Sequence, residues 1–380
     1  MTDVTSVREL IRTAQHRHRA VEEMMKGAKV PYFRRGEMSI PAFKMPPGGD
    51  PGKEGREASL KLMRKAAELP IDFFFFDLED ASPDNPDLKP HARRFVVEAF
   101  RELDFGRRVR AFRPNNIRTP YFEEDMVTVV GEVGDKLDAI VLPKSENADE
   151  VADVQAVLRA LQRLHGRANR IAIEVLVESP KAFTQAERIA ALDDVSALIF
   201  GAWDFARTTG ARVEPETWLQ DQGMARQMLP IVAAAYGKEA VDAVTATLPI
   251  RPKDPLDAVA QGKRVRAIDL ARRDAADARR IGFAAKWILH PDQIEVIQGA
   301  WTPSREDALR ALNLTADYTR AASHGSGAEV HGDQLADKAV VGTEWWVVRS
   351  AIQAGVLTDA DVEATGYTIA TLERTVRTRD

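Results

Sequence analysis

From residue 38 onward, apolar positions fall into two kinds of run that alternate along the chain. The short runs are Ser39–Met45, Ile71–Asp77, Arg108–Arg113, Ala139–Pro143, Arg170–Val177, Ala197–Phe200, Val244–Ile250 and Lys286–Leu289. They are rich in Val, Ile and Phe and apolar on both faces, as parallel strands covered by helices must be. Between them lie amphipathic stretches. In 147–164, for example, Val151, Val154, Val157, Leu158, Leu161 and Leu164 recur at helical spacing. Strands alternating with helices predict a parallel sheet, and eight such runs predict a closed (β/α)8 TIM barrel.

The flanks read differently. Residues 4–26 predict a polar helix within an N-terminal helical extension, 1–37. His16 and His18 stand two apart, so they face different sides of that helix and read as solvated surface, not a metal site. The catalytic barrel is expected over 38–303. Pro46–Gly55 reads as a loop; it lacks the GxxxxGK[ST] spacing of a phosphate loop, which leaves ligand contact as the alternative to a plain connection. Residues 304–380 are expected to form a C-terminal helical lid or oligomerisation arm. It would comprise a helix over Pro303–Ala322, a glycine-rich linker over 323–333 and a helical tail carrying Trp345 and Trp346. The tryptophan pair reads as core or subunit contact, which points to a homo-oligomer, a trimer or a hexamer.

Composition narrows the chemistry. With 44% hydrophobic residues the chain can offset its conformational entropy by burial. It has no cysteine, so disulfides, thiolate metal sites and cysteine nucleophiles are excluded, and hard oxygen-ligand or acid–base chemistry remains. A net charge of −5 argues against a nucleic-acid partner. No apolar stretch approaches the roughly 18 residues that span a membrane. The first twenty residues lack the apolar core of a secretory signal, so a cytoplasmic location is expected.

In such barrels the active site lies at the C-terminal ends of the strands. There the sequence places Asp77, Glu79 and Asp80; Arg113, Asn115 and Asn116; Pro143 and Lys144; Glu178; Asp204; Arg251; and His290 with Pro291. Glu178 and Asp204 close neighbouring strands, and two converging carboxylates with water and substrate oxygens suit Mg2+. The alternative is a pair of rim carboxylates held by Arg or Lys. Arg113 suits a carboxylate or a developing enolate oxygen, or else a salt bridge to Asp77, Glu79 or Asp80; both can hold together. Lys144 reads as a pairing group, and His290, before a proline, as a residue that fixes a turn, with direct catalysis as a base the alternative. No GxSxG, HExxH or GxGxxG is present.

These residues, in this order, resemble the citrate lyase β-subunit-like family of the HpcH/HpaI aldolase superfamily, which includes malyl-CoA and citramalyl-CoA lyases. The matching pieces are FFFFDLEDA (73–81), KPHAR (89–93), FRPNN with TPYFEEDM (112–126), VLPKSEN (141–147), EVLVESPKAF (174–183), LIFGAWDFA (198–206) and GFAAKWILHPDQI (282–294). The chain departs from the family in its first strand, where MSIPAFKMPPGG (38–49) replaces a pattern like RSxLxVPG that helps bind coenzyme A. Trp203 before Asp204 is similar to malate synthases.

The resemblance implies Mg2+, with Mn2+ as an alternative ion, held by Glu178 and Asp204. It implies Arg113 at the reacting carbonyl or enolate, Asp77, Glu79 and Asp80 as supporting carboxylates, and Lys144 and Pro291 in substrate or cofactor binding. GDQLADKAVV (332–341) looks like the stretch of a C-terminal arm that brings an acidic residue to a neighbouring subunit's site, which makes Asp337 the candidate acid/base. The implied activity is Mg2+-dependent carbon–carbon cleavage or condensation of a 3-hydroxyacyl-CoA or related hydroxy acid. The alternatives are a malate-synthase-like condensation or malyl-CoA thioesterase, a CoA-independent pyruvate aldolase, and a non-catalytic barrel subunit of a complex.

Overall fold

The computed structural model describes residues 9, 11–13, 33–214, 222–325, 327–331 and 334–377. Most of the expected helix over 4–26, His16 and His18 included, lies outside these residues; Glu9 and residues 11–13 are helical. The chain forms two compact units, Met1–Ile297 and Gln298–Asp380.

In the first unit eight parallel strands close into a barrel in sequence order. They are β1 (Gly36–Pro41), β2 (Phe73–Asp77), β3 (Val109–Arg113), β4 (Ala139–Leu142), β5 (Ala172–Val177), β6 (Val195–Phe200), β7 (Glu239–Asp242) and β8 (Ala285–Ile288). The longer helices are α1 (Arg56–Glu68), α2 (Lys89–Glu102), α3 (Ala148–Leu164), α4 (Ala202–Thr209), α5 (Gly223–Ala235) and α6 (Ala258–Arg280). This is the expected (β/α)8 architecture.

The four-phenylalanine run in β2 shows why both faces are apolar. Phe73 and Phe75 point into the barrel with Val109, Val141, Leu176, Ile199 and Trp287. Phe74 and Phe76 point outward and pack against Phe100 of α2 and Phe105 just beyond it, with centroids 4.7–6.4 Å apart. The interior is therefore a filled core, and the chemistry is left to the strand ends.

Three local expectations need correction. The seventh strand is Glu239–Asp242, and 244–250 is irregular chain beyond it, with Leu248 and Ile250 exposed. The first strand begins earlier than Ser39 and stops at Pro41, which has no N–H to extend the ladder. Both strands carry a charged residue on an inward position, and that hides them from a hydrophobic reading. The third correction is the 46–55 loop, whose second half, Pro51–Gly55, is a helical turn leading directly into α1.

The inward charges meet at the N-terminal end of the barrel. Arg34 Nη1 donates to Glu37 Oε1 and to Glu174 Oε1, each at 2.5 Å, and its Nη2 lies 2.7 Å from Glu239 Oε2. Glu37 and Glu174 are fully buried around one guanidinium. Burial, then the neighbouring Glu174 charge, push the Glu37 carboxyl well above its usual range despite Arg34.

The second unit packs on its own core. The helix expected from Pro303 runs over Arg305–Ser323 (α7). The expected linker instead contains a strand, β9 (Ala328–His331), paired antiparallel with β10 (Gln334–Asp337). Then come α8 (Lys338–Gln353), α9 (Asp359–Glu363) and α10 (Ile369–Arg377). Trp345 is buried among Leu312, Val348 and Leu357, so it belongs to this unit's core. Trp346 is exposed, beneath the Arg349 guanidinium.

A carboxyl with a raised native pKa contributes stability below its unfolded value that is lost as pH rises toward the native one. Glu37→Gln is thus predicted to gain in melting temperature relative to wild type as pH is raised from about 5 to 9. A difference independent of pH in that series of thermal melts would exclude Glu37 as the titrating group.

Candidate active site

In-register pairing sets Asp77, the last residue of β2, beside Arg113, the last of β3. Arg113 Nε donates to Asp77 Oδ1 at 2.7 Å and Nη2 donates to Oδ2 at 2.5 Å, a two-pronged grip that fixes the plane of the guanidinium. Nη1 lies 3.4 Å from Glu79 Oε2. Below it the guanidinium lies over the rings of Phe75 and Trp287, 5.8 and 5.4 Å from their centroids. Burial works against the charge, but Asp77 and then Glu79 outweigh it and hold Arg113 above its ordinary pKa.

Lys144 closes the other side of Glu79. Its Nζ pairs with Glu79 Oε1 and lies 2.7 Å from Asp80 Oδ1. Burial pushes the Glu79 carboxyl up in spite of Arg113 and Lys144. For Asp80, burial is overcome by the Lys144 hydrogen bond and the Arg113 charge, and its pKa is lowered. Lys144 has φ +53°, a left-handed conformation that no other non-glycine residue shows among those described. Held there, its backbone N–H donates to Glu178 Oε1 at 2.5 Å. Strain of this kind persists where surrounding contacts over-determine it, which is common at functional sites.

Glu178 follows β5 directly and is 5% exposed. Gly201, after β6, donates its N–H to Val177 O at 3.0 Å, which draws the two strand ends together. A Cβ on Gly201 would lie 2.2 Å from Glu178 Cβ and 3.2 Å from Oε2, so only glycine permits this approach. Among the described residues Glu178 has no ion-pair partner, and it accepts a hydrogen bond from the Lys144 N–H. Burial pushes its carboxyl up to about 8, against the pull of Arg113 and with a further push from Asp204. Asp204 occupies the first turn of α4, where the helix dipole favours a carboxylate. Its ion pair with Arg207, at 2.6 Å, is with a largely exposed side chain and is weak.

The two carboxylates fit a hard divalent cation. The donors are oxygen only, one is deep and one is at the rim, and the deep one pairs with no cation among the described residues. Among the described residues no group of three His, Asp or Glu side chains converges on a metal position. An ion here would fill its shell with water and substrate oxygens, the habit of Mg2+.

One supporting layer escaped the sequence reading. Lys89 Nζ donates to the Leu78 carbonyl and, at 2.7 Å, to Asn115 Oδ1. Asn115 in turn donates to Asp125 Oδ2 from N and Nδ2 at 2.8 and 2.6 Å, and Arg93 Nε holds Asp125 Oδ1 at 2.9 Å. This buried chain ties the 77–80 turn to the end of β3. Burial lowers the Lys89 pKa. A signal was available: Lys89 and Arg93, four apart, share the otherwise apolar inner face of α2 with Ala92, Val96 and Phe100.

The structure thus joins Asp77, Glu79, Asp80, Arg113, Lys144 and Glu178 in one network, with Asp204 acting on Glu178. Pro291 opens a single helical turn, Pro291–Gln293, after β8, and His290 Nδ1 accepts from Asp292 N–H at 3.1 Å. His290 therefore fixes the turn, as expected. Asp337 belongs to the second unit, where its Oδ1 accepts from Ala339 and Val340 N–H at 3.0 and 2.9 Å and caps α8.

A parallel barrel with such a cluster at its C-terminal rim is the framework of a barrel enzyme. Residues 56–291 match the family model for HpcH/HpaI aldolase/citrate lyase. An L-malyl-CoA/beta-methylmalyl-CoA lyase of Cereibacter sphaeroides is 31% identical over 298 residues, 76% of this chain and 90% of that protein. A (3S)-malyl-CoA thioesterase of the same species is 28% identical over 270 residues, 71% of this chain and 83% of that one. A citrate lyase structure from Burkholderia xenovorans superposes with a TM-score of 0.65 at 23% identity, covering 88% of this chain and 96% of that one. The chain belongs to the HpcH/HpaI aldolase/citrate lyase family. It is a carbon–carbon lyase of the aldolase type.

Gly201→Ala is predicted to overpack the Glu178 contact at a cost of about 1–3 kcal/mol. It is also predicted to abolish any rise in melting temperature produced by Mg2+. An unchanged Mg2+ response in paired melts, with and without EDTA, would show that this close approach does not shape a cation site.

Proposed function

We propose that the protein cleaves or forms the carbon–carbon bond of a 3-hydroxyacyl-CoA such as malyl-CoA or citramalyl-CoA, giving a 2-oxoacid and an acyl-CoA, with Mg2+ as cofactor. The observation that carries this reading is Glu178: a buried carboxyl with no ion-pair partner among the described residues, within the fields of Asp204 and of an anchored arginine. Similarity to a malyl-CoA lyase over three quarters of the chain supports the choice of thioester. The protein CitE of Mycobacterium tuberculosis, crystallised with magnesium, acetoacetate and coenzyme A, shares the fold at a TM-score of 0.58 and 24% identity.

Glu178 and Asp204 would hold the ion, which supplies Lewis-acid polarisation of the 2-oxoacid carbonyl. The chain's own groups do the rest. A base takes the proton of the substrate hydroxyl, the bond between the hydroxyl-bearing carbon and its neighbour breaks, and the electron pair moves into the thioester as an enolate. Arg113, held flat by Asp77 over Phe75 and Trp287, presents a fixed positive edge to the developing oxygen charge. Because Asp77 fixes the guanidinium before substrate arrives, little reorganisation is left for the reaction step. Lys144 neutralises Glu79 and Asp80, so the rim is not a wall of negative charge against an anionic substrate. A proton returned to carbon completes the acyl-CoA, and Asp337 is the proposed acid/base for that step.

The test is a panel of malyl-CoA, citramalyl-CoA, citryl-CoA and free 4-hydroxy-2-oxoacids, with 2-oxoacid and free thiol followed together. Mg2+-dependent oxoacid release from a thioester, lowered at least a hundredfold by Arg113→Lys, is expected. Thiol release in step with it would move the reading to a thioesterase, the activity named for one relative. Release from the free acids alone would make it a CoA-independent aldolase. In the same assay Asp337→Asn separates two roles, because Asn caps a helix about as well as Asp. Loss of turnover at unchanged melting temperature supports the acid/base role, and full turnover removes it.

A further inference from the structure

The segment that follows β7 and the first turns of α6 enclose an open cavity of about 850 Å3. That is within the roughly 300–1,000 Å3 typical of small-molecule sites. Its lining combines an apolar side, with Leu248, Ile250 and Leu270, and six cationic residues: Arg251, Lys263, Arg264, Arg266, Arg272 and Arg273. Against these stand one lining carboxylate, Asp269, and Asp292 just beyond. Six positive charges against two negative ones leave an excess of four, in a chain whose net charge is −5.

The pairing is uneven. Arg251 and Arg264 share Asp292, at 2.8 and 2.9 Å, and Arg272 pairs with Asp269 on its own helix. Lys263, Arg266 and Arg273 have no ion-pair partner among the described residues. Arg264 Nε is also buried without a hydrogen-bond partner. Asp292, which two of the arginines grip, lies in the turn after β8, so the cavity opens at the same end of the barrel as the candidate active site.

We infer that this cavity is a binding site for a phosphate-bearing nucleotide: the phosphates on Arg266, Arg273 and Lys263, the base against Leu248 and Ile250. Guanidinium groups free of carboxylates are well suited to phosphate oxygens, and exposed aliphatic side chains beside them offer apolar contact to a base. The same chemistry is offered by the phosphorylated adenosine of coenzyme A and by a free nucleotide. The first source rests on the thioester reading above; binding itself does not.

Calorimetric titration of the full-length protein with ADP, pyrophosphate and coenzyme A tests the site. ADP and pyrophosphate are expected to bind, more weakly as salt rises. The double variant Arg266→Gln/Arg273→Gln, altered at exposed helix positions, is expected to bind ADP at least tenfold more weakly. Arg101→Gln, on α2, is expected to bind as wild type does. A KM for the thioester at least tenfold higher in the double variant assigns the site to the coenzyme; an unchanged KM assigns it to a free nucleotide. Failure of wild type to bind either ADP or pyrophosphate, or equal binding by the double variant, overturns the proposal. The titrations need no turnover, so loss of the lyase reading would leave them interpretable.

Discussion

Burying charge is costly, and the way each buried charge is matched organises this barrel from one end to the other. At the N-terminal end Arg34 gathers Glu37, Glu174 and Glu239. Between β7 and β8, Asp242 is held by Arg226 and Lys286 at 2.8 Å each. At the C-terminal end Asp77 and Glu79 hold Arg113, and Lys144 holds Glu79 and Asp80. Glu178 departs from the pattern. Among the described residues it takes a backbone N–H and pairs with no cation, Gly201 packs directly against it, and the Asp204 charge adds to the burial that raises its pKa. A carboxyl kept this way is poorly stable as an anion until a cation arrives, and that is the property a metal-dependent site requires.

The same charges explain what the sequence made legible. Strands with purely apolar interiors, such as β2 and β4, stand out because both faces read hydrophobic. β1 and β7 were misplaced because Glu37, Glu239 and Asp242 occupy inward or paired positions that a hydrophobic pattern scores as surface. The decoy for β7, 244–250, is apolar in composition, yet Leu248 and Ile250 line an exposed cavity. The pairing of β9 with β10 is hidden for a different reason: each strand is only four residues long, and the glycines at 325, 327 and 332 make the stretch read as a linker.

The candidate site was more legible than the strand edges, since the fold rule directs attention to strand ends whatever their exact limits. Arg113 and its carboxylates, Lys144 and Glu178 were all reachable that way. Of the Arg113 alternatives the salt bridge is realised: Asp77 grips two nitrogens, and the Nη1 side of the fork lies at a looser 3.4 Å from Glu79. The Lys89–Asn115–Asp125–Arg93 chain was legible only in part: the i,i+4 spacing of Lys89 and Arg93 on an apolar face marks them as buried cations, but their partners depend on turns that the tertiary structure brings within reach.

The central claim is that Glu178 is the anchor of a Mg2+ site. The most direct measurement is calorimetric titration of Mg2+ into wild type and Glu178→Gln at a pH near 8, in two buffers of different ionisation enthalpy. Binding of one ion to wild type, with proton release that shrinks as the pH is raised above 8, and no binding to the variant, is the predicted result. Equal Mg2+ affinity in the two proteins, with no proton release from either, would contradict the account.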